Sequence, residues 1–322
     1  MKKVSVIVIL YKPDLKKIVI TLNSILKQVN IDYEILISDD GSDVDYFPQI
    51  INFMHRNGFE DYKLIKNEQN VGTVKNILGA LEKAKGKYIF ITSPGDLLYN
   101  YDTLYDFYSF SYKNDAKIVF GNAVCYNITD KINILPQLKC PLSPKSYDVK
   151  CSYLEAYTSF FFGNYILGAK YFREKECALK YFKKIQDCCK YVEDTTSSMV
   201  ALANGEKIVF YNRNIVWYEY GTGISTSGSN EWQEIIKSEM MLVMNKLKNE
   251  YSKDRVIDWA VTLHSTDNLF KKGVALLNKP LILLYFLKFK IKSKFFKERI
   301  VNFDDSVIRD AIGIEEYKNA SN

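Results

Sequence analysis

Apolar residues in the first 122 positions switch repeatedly between two periods. Val4 to Leu10 is apolar except for Ser5, the pattern of a strand covered on both faces. Leu15, Ile18, Leu22, Ile25 and Leu26 then recur at helical spacing. Tyr33 to Ser38 predicts a second strand, and Phe47, Ile50, Ile51 and Met54 form the stripe of a second helix. Tyr62 to Lys66 predicts a third strand, followed by a helix carrying Val74, Ile77, Leu78 and Leu81. Tyr88 to Thr92 and Lys117 to Gly121 predict two more strands, with a Tyr/Phe-rich helix between them. Such alternation predicts an α/β domain with a mainly parallel central sheet flanked by helices. Ligands of sheets like this sit beyond the carboxyl ends of the strands.

The pattern loosens between residues 123 and 190, where Pro136, Pro141 and Pro144 punctuate a loop before an aromatic patch at Phe160 to Phe162. A helix beginning near Asp194 and strands at Lys207 to Tyr211 and Ile215 to Tyr218 restore it. From Asn230 the spacing is helical to the end. These shifts divide the chain into a domain over 1–228, with halves 1–122 and 123–228, and a mostly helical C-terminal extension over 229–322.

Composition then removes several function classes. With 322 residues, 47% of them hydrophobic, the chain can bury a large core, and 15 Gly and 7 Pro are too few for a disordered or collagen-like chain. No apolar run nears the ~20 residues that span a bilayer; the longest, Leu281 to Leu287, lies between Pro280 and Lys288. Met1-Lys2-Lys3 and the apolar stretch after it imitate a signal peptide. Tyr11-Lys12-Pro13-Asp14 follows without a small-residue cleavage site, so a cytoplasmic N-terminal strand is expected. His55 and His264 lie far apart, which argues against a His-rich zinc site and a His-dependent triad. Six Cys, including the adjacent Cys188 and Cys189, form no C-x-x-C pair and are expected to be reduced and structural. The net charge of +6 is uneven: residues 271–300 hold nine Lys/Arg against one Glu. The rest is slightly acidic, which describes a globule with a basic segment and not a general nucleic-acid binder.

Candidate chemistry sits at the strand ends. Leu10 is followed by Tyr-Lys-Pro-Asp, so the glycine-rich dinucleotide fingerprint and the phosphate loop of NTPases are both missing. Ser38-Asp39-Asp40-Gly41-Ser42 reads either as a plain turn or as a base site. A carboxylate there can accept the imide N–H of uracil or thymine, or the N–H of guanine, whereas cytosine offers none. Tyr11, on the neighbouring strand end, can stack on the same base. Thr92-Ser93-Pro94-Gly95-Asp96 reads as a Pro-Gly turn with a solvated Asp, or as a carboxylate for a hard cation such as Mg²⁺ or Mn²⁺. In Asn70-Val71-Gly72-Thr73-Val74-Lys75-Asn76, Asn70 and Thr73 suit a helix cap, and Lys75 one turn in can approach a phosphate.

This ordered set, D-D-G-S, then N-x-G-x-x-x-N, then a single Asp after Y-I-F-I-T, resembles the inverting nucleotide-sugar glycosyltransferases of family 2, which have the GT-A fold. The resemblance is specific from Val4 to Asp102 and looser to Ser227. It implies a GT-A type architecture and a donor site made by Tyr11, Asp39, Asp40, Asn70, Gly72, Lys75 and Asn76, with Asp40 the better base contact. The N-x-G element is one residue shorter than the family's. The family's D-x-D or D-D metal motif falls where only Asp96 is acidic, which implies Mn²⁺ or Mg²⁺ on a reduced motif. Tyr191-Val192-Glu193-Asp194-Thr195-Thr196 matches the family's Glu-Asp pair: Asp194 is implied as the catalytic base and Glu193 as its neighbour on the acceptor side. On residue chemistry alone Asp194 is equally a good N-cap. The Gly/Ser loop from Tyr220 to Ser227 resembles the family's diphosphate loop, with Gly223, Ser225 and Thr226 the contacts.

The implied function is transfer of a sugar from a nucleotide-diphosphate donor, a UDP-sugar first, to a hydroxyl of a glycan or lipid-linked glycan in bacterial surface glycan synthesis. The alternative is a degenerate, non-catalytic member that binds sugar or a partner enzyme. Within 271–300, Leu281 to Leu287 is coupled to Lys288, Lys290, Lys292 and Lys294, with Phe289, Ile291, Phe295 and Phe296 interleaved. This segment is expected either to dock on an anionic membrane surface, at the inner face of the plasma membrane, or to pack against the domain.

Overall fold

The computed structural model describes residues 2–128, 132–136, 139–221, 230–265, 280–295, 300 and 303–313. Strand β1 (Val4–Leu10) lies between β2 (Tyr33–Asp39) and β4 (Tyr88–Thr92), and β3 (Tyr62–Lys66) flanks β2. All three pairings are parallel, and the register sets Leu10 level with Asp39 and Val8 level with Thr92. The first strands therefore end together, and the Asp39 and Asp96 segments leave the sheet from the same side.

Beyond β4 the sheet becomes mixed. Strand β8 (Tyr171–Glu174) pairs antiparallel with both β4 and β6 (Ile118–Ile128). Strand β9 (Ile208–Glu219) runs parallel to β6, and the two-residue β5 (Leu97–Leu98) pairs antiparallel with β9. Strand β7 (Ile132–Ile134) folds back on β6 and completes the nine strands found among the described residues. The two strands expected at 207–211 and 215–218 are one. Polar Asn212 and Arg213 imitate a turn, but the ladder passes them through a bulge opposite Gly121, where a Cβ would stand 2.7 Å from Ile215 Cγ1.

Alternation along the strands divides the core. Val4, Val6, Val8 and Leu10 meet α1 (Leu15–Leu26), α2 (Phe47–Arg56) and α4 (Thr103–Lys113). Ile7 and Leu36 face the opposite layer, with α3 (Thr73–Lys83), α5 (Tyr153–Phe161), α6 (Lys175–Ile185) and α7 (Glu193–Ala203). Helices α8 (Asn230–Glu250), α9 (Arg255–Ser265) and α10 (Pro280–Phe295) share that second core through Val243, Met244, Trp259 and Phe289. The last helix, α11 (Ser306–Gly313), instead covers α1 and β5, burying Ile308 and Ala311 against Ile20, Leu97 and Trp217. The C-terminal extension is thus helical where described; of the basic segment 271–300, Pro280–Phe295 is a helix, and residues 271–279 and 296–299 lie outside the described residues.

Candidate functional site

At the end of β2, Asp39 and Asp40 have separate tasks. Asp39 Oδ1 accepts from the Ser42 amide (3.1 Å) and hydroxyl (2.6 Å), closing the turn through Gly41. Its Oδ2 is buried without a partner among the described residues. Asp40 Oδ1 accepts from Val71 N (2.9 Å) and Asn67 Nδ2 (3.1 Å), and Oδ2 accepts from Gly72 N (2.9 Å). Asp40 therefore grips the backbone that leads into α3. Gly72, not Asn70 or Thr73, occupies the N-cap position of α3, and no side chain caps it. Asn76 is buried and exchanges hydrogen bonds with Ser38, donating to its carbonyl (3.2 Å) and accepting from its hydroxyl (2.6 Å), so it ties α3 to β2. Tyr11 is 47% exposed beside this turn, and Lys75 is exposed on the first turn of α3.

The turn after β4 is held from below. Asp96 N donates to Ser93 O (3.0 Å) across Pro94 and Gly95, with Gly95 at φ +102°, the geometry of a type II turn. Thr21 of α1 accepts from Gly95 N (2.9 Å) and donates to Asp96 O (2.9 Å), while Tyr126 donates to Gly95 O. Asp96 is 7% exposed, which sets aside the reading of it as a solvated turn residue. Its cover comes from the end of β9: Glu219 N donates to Asp96 Oδ1 (3.1 Å), and the Glu219 carboxylate lies so close over Gly95 that a Cβ there would collide with it. Burial pushes the Asp96 carboxyl up to about 8, and the neighbouring Glu219 charge adds to this. Lys17 binds Glu219 at 2.7 Å. Sequence reasoning missed Lys17 and Glu219. Glu219 carried a readable signal, an acid at a strand's carboxyl end just before a glycine loop.

The Glu193–Asp194 pair opens α7, whose N-cap is Val192. Asp194 is thus inside the helix and does not cap it. Its Oδ1 accepts from Thr195 N (2.6 Å), and Gly168 lies against its carboxylate. A Cβ on Gly168 would stand 3.3 Å from both Asp194 Oδ2 and Glu193 Oε1. The antiparallel register returns the chain before β8 past the end of β4, so Gly168 borders the same end of the sheet as the Asp96 turn. Burial raises both carboxyls above their ordinary range; their mutual charge adds to the rise in Glu193, and Arg173 opposes it in both. Arg173 is buried over the Tyr171 ring at 3.7 Å, with Nη2 lacking a partner among the described residues.

With no side chain capping α7, the preceding amides are served from α8. Glu239, buried, accepts from Lys190 N (3.0 Å), Tyr191 N (3.0 Å) and Val192 N (2.8 Å). Lys190 O in turn accepts from Val74 N (3.0 Å) in the first turn of α3. One continuous set of bonds thus runs from Asp40 through the Gly72 segment and Lys190 to Glu239. Nothing in local sequence pointed to Glu239, because its partners lie about 50 positions away. Gly223, Ser225 and Thr226 lie outside the described residues.

Comparison with known proteins agrees with this arrangement. The model for "Glycosyl transferase family 2" matches residues 5–172, more than half of the chain. Among solved structures, S. aureus TarS superposes with a TM-score of 0.60 at 18% identity, covering 94% of this chain and 57% of TarS. TarS 1–349 in complex with UDP-GlcNAc gives 0.59 at 18% identity, covering 93% of this chain and 95% of that one. The mannosyltransferase PcManGT from Pyrobaculum calidifontis, in complex with GDP-Man and Mn²⁺, gives 0.53 at 14% identity, covering 92% and 88%. No curated protein matches by sequence. At these identities the superpositions establish a shared GT-A type fold, and the family match carries the assignment: the chain belongs to glycosyl transferase family 2.

Proposed function

We propose that the chain is an inverting glycosyltransferase that moves a sugar from a UDP-sugar to a hydroxyl of a bacterial surface glycan or its lipid-linked precursor. The observation that carries this reading is the gathering of four carboxylates, those of Asp39, Asp40, Asp96 and Asp194, at one end of the sheet. The nucleotide-sugar complexes of TarS and PcManGT support the donor class. In this reading Tyr11 stacks on the base. Asp39 Oδ2, which has no partner among the described residues, and Asp40 Oδ2, which accepts one backbone N–H, keep lone pairs for its imide N–H.

Asp96 suits a hard divalent cation: it is a carboxylate at a rigid turn with Glu219 beside it, and such ions often take one or two carboxylates and complete their shell from a diphosphate. When bound, Mn²⁺ or Mg²⁺ would offset the charge of the departing diphosphate. Lys17 holds the neighbouring Glu219 carboxylate in place. Asp194 takes the proton from the acceptor hydroxyl as its oxygen attacks the anomeric carbon opposite the leaving group, which inverts the centre. Burial raises the basicity of Asp194 toward that task, and Arg173 keeps it ionisable.

The test is titration of UDP with and without Mn²⁺, followed by UDP release from several UDP-sugars and the Asp96→Asn variant. Binding should strengthen with Mn²⁺, and the variant should lose that increment while melting like the parent. Unchanged metal dependence in the variant refutes the Asp96 assignment. No donor binding under any metal condition refutes the transferase reading. UDP binding without turnover on any sugar favours a non-catalytic member, a reading motivated by reduction of the metal motif to one Asp.

A further inference from the structure

Helix α10 has two apolar faces. Its inner face packs on the protein: Phe289 is 2% and Ile282 7% exposed, and Phe286 lies 5.6 Å from Trp259 and 5.4 Å from Phe162, ring to ring. On the other side Leu284 is 62%, Leu287 47%, Ile291 58% and Phe295 77% exposed. At roughly 100° per residue these four fall within an arc of about 80°, one continuous stripe along the helix. Lysines border the stripe on both sides, Lys288 and Lys292 on one and Lys290 and Lys294 on the other. Lys288 reaches Glu155 of α5 at 2.6 Å, and Lys292 bonds the same carboxylate. The helix contains no Asp or Glu.

We infer that this outer face of α10 is a membrane-docking surface that lies in the plane of an anionic bilayer. The inference rests on the membrane-associated acceptor proposed above and names the surface that serves it. Charge selects the occupant. A second copy of the chain on this stripe would bring lysine rows against lysine rows, whereas anionic headgroups complement them while the apolar side chains enter the acyl boundary. The lysine stems can lie along the apolar stripe with their ammonium groups at headgroup level. The helix does not cross the bilayer. Its 16 residues extend about 24 Å, short of the ~30 Å hydrocarbon core, and no helix among the described residues is long and apolar enough to span.

Sedimentation of the full chain with liposomes tests this, using phosphatidylcholine alone or mixed with phosphatidylglycerol. The parent should partition onto the mixed vesicles, leave them as salt rises, and ignore phosphatidylcholine. The triple variant Leu284→Ser, Ile291→Ser, Phe295→Ser should partition at least tenfold less, and Lys290→Gln with Lys294→Gln should shift release to lower salt. All substituted positions are exposed, so melting and UDP titration should match the parent; these controls separate failure of the docking surface from failure of the donor reading. Equal partitioning of parent and triple variant overturns the inference, as does recovery of both in the supernatant. A parent that self-associates without lipid, with a monomeric triple variant, would also overturn it and assign the stripe to a second copy.

Discussion

Replacing Glu239 by Gln tests whether α8 holds the segment before Asp194 in place. The Glu239 carboxylate receives three successive backbone N–H groups, from Lys190, Tyr191 and Val192. Gln presents one oxygen and one NH₂, so whichever way the amide turns, at least one of these donors faces another donor. A hydrogen bond to a charged acceptor contributes about 1.5–3 kcal/mol, and the surviving bonds lose their charge assistance. The expected loss of stability is therefore about 2–4 kcal/mol, a large share of the usual 5–15 kcal/mol of a folded protein. Displacement of the segment by about 1 Å would also misplace Asp194, a change that typically costs about 10²-fold in rate. Urea unfolding of the full chain followed by circular dichroism reads the first effect, and UDP release the second. Ser238→Ala, one residue away on the exposed face, is the control. Coincident unfolding midpoints and equal kcat for Glu239→Gln and the parent would refute the reasoning.

Three further outcomes follow from the same geometry. Asp194→Asn should keep donor affinity but slow transfer by about 10²-fold or more, and the parent's product, read by NMR, should carry the anomeric configuration opposite to the donor's. Arg173→Met should move the acidic limb of the pH–rate profile to higher pH, because burial already raises Asp194 and Arg173 opposes that rise; Arg173→Lys should restore most of it, and an unmoved limb would exclude Arg173 from this role. Gly72→Ala should destabilise the fold by about 1–3 kcal/mol and weaken UDP binding, because φ is +90° and a Cβ would overlap the Lys190 side chain and stand 2.7 Å from its carbonyl oxygen; unchanged melting and UDP affinity would count against it.

The legible parts of the sequence were those with strong local periods. Strands β1 to β4 and helices α1 to α4 follow from apolar spacing, and Asp39, Asp40, Asp96 and Asp194 stand where the motifs placed them. Strand β8 escaped because it is four residues long and carries Arg173 at a buried position, whose charge breaks the expected pattern. Helix α6 was hidden by its lysines, although Cys177, Ala178, Tyr181, Phe182 and Ile185 form an ordinary buried stripe. The burial of Asp96 could not be read locally, since Glu219 covers it from 123 residues away. For the same reason the contact across residue 228 could not be read from the sequence: Glu239 of α8 binds the amides of the segment before Asp194.

Helix α11 bears on how the protein is made. It lies across α1, with Lys27 reaching Asp310 at 3.0 Å, Tyr101 reaching the same carboxylate at 2.5 Å, and Asp304 N donating to Tyr99 at 2.8 Å. Helix α1 in turn carries Thr21, which clamps both sides of the Asp96 turn. During vectorial synthesis Ile20 of the first helix therefore waits for its partner Ile308 until nearly 300 further residues have been made. Contacts of such long sequence separation form slowly and leave apolar surface exposed to aggregation meanwhile. Chains interrupted before residue 306 would be the ones that depend most on chaperones, and their Asp96 turn would be the last of the strand-end turns to set.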